Sequence, residues 1–262
     1  TRLRPTWEGL SAADAGSTVF QTWTWCRLTW ELTPPPAPAL RVVLFRSASG
    51  EPVGLAPLWL ERMGRARVLR WIGHRRSDYH DLLIAPHAEA EAVVAALRRF
   101  LQQHADEWDL IDFVELGARS RLMQYLPSVL PEAGSLKLER ASPGFQLALP
   151  ATYETYLQSL SGHMRRDYRR KHRRMLDDHW VTIDVEDGTV HPQKTIAGFI
   201  DLHQKRMAKK REPGLFRSAE RRERYEAFYT GLTEAGLMRW VVLKLNGNIR
   251  AVIPNLLHQG MV

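Results

Sequence analysis

Between Leu149 and Leu176 the chain reads LPATYETYLQSLSGHMRRDYRRKHRRML, and this stretch restricts the fold more than any other. Tyr153, Tyr156, Leu157 and Leu160 recur at helical spacing and make one apolar stripe, which predicts an amphipathic helix. The stripe breaks at Ser161-Gly162, where Ser161 is a good N-cap for a second helix. In that helix Met164, Tyr168, His172 and Met175 share one face, while Arg165, Arg166, Arg169, Arg170, Lys171, Arg173 and Arg174 cover the rest. The pattern predicts a helix docked on a core by its apolar seam, with its charge turned outward.

At 262 residues the chain has room for two domains of ordinary size. With 44% hydrophobic and 25% charged residues it can bury real cores. No run approaches the roughly 18 apolar residues of a membrane span, and none resembles a secretory signal. A single cysteine, Cys26, excludes an internal disulfide framework and a cysteine metal cluster, and it suits a reducing cytoplasm. The ten histidines show no zinc spacing, so no metal is expected. The net charge of +8 points to an anionic partner, and it concentrates in Arg62 to Arg76, Arg165 to Arg174 and Lys205 to Arg224.

Along the chain, a Trp-rich segment from Phe20 to Leu32 is closed by the prolines from Pro34 to Pro38. Strands are expected over Leu40–Arg46 and Pro52–Arg62, as a hairpin turning at Gly50, and over Arg67–Gly73. A polar loop from His74 to Asp81 leads to the apolar run Leu82–Ile84. Helix is expected over Glu89–His104 and Ser120–Leu130, a buried strand over Leu110–Leu116, and a strand pair over Leu136–Leu149. The second half continues with a strand over Trp180–Val185 and a helix through Ile196 and Met207. A helix capped by Ser218 follows, then a hairpin turning at Asn246-Gly247. The architecture is mixed α/β, of the α+β class, in two domains over residues 1–148 and 149–262. The second, which begins with the basic helix, is expected to be incomplete after its hairpin.

These segments, in this order, resemble the GNAT superfamily of acyltransferases, and more closely its tandem-domain, FemAB-like branch, which includes acetyltransferases of exopolysaccharide and cellulose operons. The resemblance rests on Phe20-Gln21-Thr22 followed by Trp25, on Ala56-Pro57-Leu58, and on Gly73 followed by Ser77-Asp78-Tyr79-His80-Asp81. It also rests on Tyr156-Leu157 through Ser161 with the arginine-rich helix, on Leu202-His203, and on the Asn246-Gly247 hairpin. It implies two tandem GNAT-like domains, the first degenerate, each a mixed sheet flanked by helices. The implied activity is transfer of an acyl group from acetyl-CoA or another acyl-coenzyme A to an amine or hydroxyl, in the cytoplasm, with a small-molecule or glycan acceptor. The alternatives are a FemAB-type aminoacyl transferase using charged transfer RNA, and a non-catalytic nucleic-acid-binding protein.

Such chemistry needs backbone N–H groups at a glycine-rich turn for pyrophosphate, a donor for the thioester oxyanion, and a base for the nucleophile. The GNAT phosphate loop, Arg/Gln-x-x-Gly-x-Gly/Ala, would fall near Trp71 to Tyr79 in the first domain, where the second glycine is missing. That departure counts against coenzyme A binding there; in the second domain the loop would lie beyond Val262. Asp78, Tyr79 and Asp81 are the catalytic candidates, two carboxylates and a phenol at a strand end, against the plainer reading of a self-capping turn. His80, Arg165, Arg169, Arg173 and His203 are the substrate-binding candidates, the arginines as a row for phosphates. Carboxylates at Asp167, Asp177 and Asp178 offer the competing account of that row, a solvated and paired face. His203 and the basic stretch Lys205 to Arg211 are expected at a helix end and in the loop after it.

Overall fold

A computed structural model describes residues 2–129, 137, 139, 145, 147–186 and 192–261. It is a mixed α+β fold in two compact units. The first is built from the described residues of Thr1–Leu138, Ser218–Met238 and Leu256–Val262, the second from those of Glu139–Arg217 and Arg239–Asn255.

The first unit opens with helices α1 (Arg4–Ala13) and α2 (Trp23–Leu32), the latter capped by the Thr22 hydroxyl, which accepts from the Trp25 amide. Among the described residues seven strands follow: β1 (Ala39–Leu40), β2 (Val43–Arg46), β3 (Pro52–Ala56), β4 (Leu58–Met63), β5 (Ala66–Trp71), β6 (Leu83–Ile84) and β7 (Leu110–Asp112). They form two sheets, ordered β1-β4-β5-β7 and β2-β3-β6. The hairpin turning at Gly50 is present as β2–β3, but its expected long arms are each divided between the two sheets. Pro57 ends β3 because it has no N–H to give a ladder, while its carbonyl accepts from the Ile72 amide. β7 runs parallel to β5 and is a sheet edge, with Leu110 54% exposed rather than buried.

Helix α3 (Ala90–Gln103) lays Val93, Val94 and Leu97 into a core with Leu58, Leu69, Trp71 and Leu122, the last from helix α4 (Arg121–Val129). Gly54 lets α3 approach β3 closely, since a Cβ there would stand 2.8 Å from Val93. Helix α8 (Ala219–Glu234), capped by Ser218 as its sequence predicts, packs on α2 with Phe228 edge-on to Trp25 at 5.4 Å.

The second unit holds helices α5 (Tyr153–Ser159), α6 (Gly162–Asp178) and α7 (Gln193–Lys210) and strands β8 (Val181–Glu186), β9 (Met238–Leu245) and β10 (Asn248–Leu256), in the sheet order β10-β9-β8. Asn246 and Gly247 both take positive φ, the two-residue turn their sequence demands. Glu186 accepts from Thr195 of α7, and Trp240 lies 5.7 Å from Phe199 of α7. That fixes which sheet face α7 covers. The opposite face pairs Val181 with Leu245, Ile183 with Leu243 and Val185 with Val241.

Helix α6 departs from expectation. Ser161 caps it as predicted, accepting from the Met164 amide, yet none of its residues is buried and Met164 is 56% exposed. Tyr168 and Met175 are partly buried, with Tyr153 of α5 edge-on to Tyr168 at 6.1 Å. The seam exists in the sequence, and among the described residues the ring set against it from outside the helix is that of Tyr153. The expected strand pair over Leu136–Leu149 falls mostly outside the described residues.

Candidate functional site

The loop from Gly73 to Asp81 leaves the end of β5 and is built by contacts from far along the chain. Gly73 has a φ of +91° and no room for a side chain, because a Cβ would meet Ser77 Oγ at 2.1 Å. Its carbonyl accepts from the amides of Arg76 and Ser77. The Trp25 indole donates to Ser77 Oγ at 2.8 Å, and Gln21 Nε2 donates to the Tyr79 carbonyl at 2.7 Å. Gln21 is itself fixed, since its Oε1 accepts from the Thr18 amide at 2.6 Å. Two buried side chains before and within α2 thus clasp a loop more than fifty residues away.

Within this clasp the candidates separate. Asp81 points inward and caps α4: one carboxylate oxygen accepts from the Arg121 amide at 2.7 Å, the other from Ser120 Oγ at 3.0 Å and the Leu122 amide at 3.2 Å. Burial pushes its carboxyl above the ordinary value, opposed by donors from Arg121, Leu82, Leu122 and Ser120. His80 is also inside. Its ring stacks on Trp71 at 5.9 Å, its amide donates to the Glu115 carbonyl, and its Nε2 has no hydrogen-bond partner among the described residues. Burial, then the charge of His74, hold it down to about 3, so the imidazole is neutral.

Asp78 and Tyr79 face outward. Tyr79 is 48% exposed and holds a φ of +54°, an uncommon conformation for a bulky residue, with its ring beside Gly117. A strained aromatic, a free-standing carboxylate and a rigid loop beneath them can bind a hydroxyl or amine and orient its proton.

A phosphate cradle is a different matter. The amides of His74, Arg76, Ser77 and His80 all donate to carbonyls of the protein, so they are not turned toward a ligand. Cys26 is buried with its thiol pushed up by that burial, so it offers no thiolate nucleophile. No group of three or more metal-ligating side chains is found among the described residues.

The remaining candidates belong to the second unit. His203 sits on α7 with its ring 4.9 Å from Phe216. The basic stretch after it is helical to Lys210, and the expected loop begins only at Arg211, which caps α7 with positive φ. Arg165, Arg169 and Arg173 follow one another along α6, with Arg165 reaching the Gln158 carbonyl at 3.4 Å. Asp167 pairs with Arg170 and Lys171, and Asp178 with Arg174. Arg166, Arg169 and Arg173 have no carboxylate partner among the described residues. Sequence reasoning named Gln21, Trp25 and Gly73 for their pattern without seeing that they meet; it named Ser120 only as the start of a helix and did not single out Glu115.

Comparison with known proteins bears on the C-terminal part of the chain, which contributes to both units. Residues 162–262 match the family model described as Acetyltransferase (GNAT) domain. The match supports placing this part of the chain in the GNAT superfamily and supports acyl transfer as its general activity. No curated protein matches the chain. A crystal structure of a conserved protein of unknown function from Bacteroides thetaiotaomicron VPI-5482 is similar in fold, with a TM-score of 0.54 and 13% identity. The similarity covers 97% of this chain and 72% of that one.

Proposed function

We propose that this protein is a cytoplasmic acyltransferase of the tandem, FemAB-like GNAT branch, with GNAT-like halves over residues 1–148 and 149–262. It moves an acyl group from acyl-coenzyme A to a hydroxyl or amine of an envelope or exopolysaccharide glycan. The observation that carries the activity is the acetyltransferase match over residues 162–262. In this reading Tyr79 and Asp78 contact the acceptor, and Asp78 takes its proton directly or through water. Asp81 is a positioning residue, because its oxygens already accept from α4 and Ser120. His80 serves from below by holding Trp71 and the loop rather than by touching the acceptor.

The reading is tested by incubating the chain with acetyl-coenzyme A and a panel of amino sugars, oligosaccharides and polyamines, and following release of the coenzyme A thiol. Acceptor-dependent release supports it. Failure of every acyl-coenzyme A and acceptor pair, with charged transfer RNA accepted as donor instead, replaces it with aminoacyl transfer.

A further inference from the structure

Helix α6 carries its charge in an unusual setting. Arg166, Arg169 and Arg173 are uncompensated among the described residues, and Arg169 and Arg173 stand one turn apart on the helix. Leu176 continues the same face, three residues beyond Arg173, and is 50% exposed. Two residues past the helix end comes Trp180, 71% exposed. Its backbone is held at both groups by Asn246, whose Oδ1 accepts from the Trp180 amide at 2.9 Å and whose amide donates to the Trp180 carbonyl at 2.8 Å. The indole is therefore mounted on a fixed backbone.

We propose that α6 and the start of β8 dock the second unit on an anionic lipid surface, the arginines on headgroup phosphates and the apolar side chains in the boundary with the acyl chains. Unpaired guanidiniums complement a negative surface, and tryptophan with exposed aliphatic residues gains free energy at a bilayer interface. A second copy of the chain fits poorly, since it would bring like-charged arginine rows together. RNA would satisfy the arginines and can stack on an indole, but it leaves Leu176 in water. No described helix is long and apolar enough to cross a membrane. This inference goes beyond the acyl-transfer reading and rests on α6 and β8 alone, so either can fail without the other.

The test is co-sedimentation of the full chain with vesicles of phosphatidylcholine, with and without about a third phosphatidylglycerol. Binding to the anionic vesicles is expected, weakening as salt is raised. The triple variant R166E/R169E/R173E should lose about a hundredfold in affinity, and the matching triple lysine variant should keep it, since lipid attraction reads charge. Trp180→Ser should lose about tenfold. All four side chains are on the surface, so thermal unfolding of the variants should match the parent chain. Equal binding to both vesicle types, no binding to either, or full retention by the glutamate variant would overturn the proposal. Retention of an RNA oligonucleotide with no vesicle binding would overturn it too, making α6 a nucleic-acid surface.

Discussion

Trp25 donates its indole N–H to Ser77 Oγ across 2.8 Å, and through that bond helix α2 holds the loop that carries Asp78 and Tyr79. Both partners are buried, at 5% and 2% exposure, so the bond is shielded from water and its loss leaves an unpaired group behind. Ser77→Ala and Trp25→Phe should each destabilise the first unit by about 1–3 kcal/mol. The midpoint of urea unfolding, at unchanged slope, measures it.

Gly73→Ala should cost more than either. It places a side chain at a φ of +91° and drives its Cβ into Ser77 Oγ. We expect a loss above about 2 kcal/mol, read from the same unfolding curves. A neutral result would mean that the loop does not need this turn.

Asp81→Ala should remove the cap of α4 and cost about 0.5–2 kcal/mol. Asp81→Asn, which keeps an acceptor oxygen, should cost less. Acyl transfer by the asparagine variant should persist, because both carboxylate oxygens already accept from Ser120 and the start of α4. A collapse of turnover without loss of stability would make Asp81 a proton carrier.

Acid should weaken the first unit through its buried imidazoles. His80 is held near 3 in the folded chain against an ordinary 6.5, so the unfolded chain takes up a proton that the folded chain refuses. The stabilisation is complete above pH 6.5 and is lost as pH falls toward 3, by up to about 1.4 kcal/mol per unit. His74 and His258, also lowered by burial, act in the same direction. Asp81, whose carboxyl is raised, acts in the opposite one, as its folded form keeps a proton longer. His80→Phe keeps a ring against Trp71 and removes one titration. The fall in unfolding midpoint between pH 7.5 and 5 should therefore be shallower in that variant.

What the sequence disclosed follows the range of the interactions concerned. The Asn246-Gly247 turn and the Ser161 and Ser218 caps are local, and each forms where the residues dictate. The division of the hairpin arms at Pro57 needed knowledge of which sheet each half joins, which no local pattern carries. The apolar seam of α6 was legible in its spacing, but whether anything lies against it depends on the rest of the unit. The site shows the same divide. Gly73 to Asp81 stood out as a polar segment at a strand end, while the inward turn of Asp81 is decided by α4 some forty residues on. His80 likewise reads as a polar candidate, and only the stacking on Trp71 shows it to be interior.

If Tyr79 and Asp78 face the acceptor of an acyl transfer, steady-state turnover of Asp78→Asn and Tyr79→Phe with acetyl-coenzyme A and the preferred acceptor will fall. Both side chains are on the surface of a clasped loop, so unfolding midpoints should stay within about 0.5 kcal/mol of the parent. We expect kcat/KM to fall by about a hundredfold for Asp78→Asn, with a smaller loss for Tyr79→Phe. Unchanged turnover in both variants would move the acceptor site away from Asp78 and Tyr79.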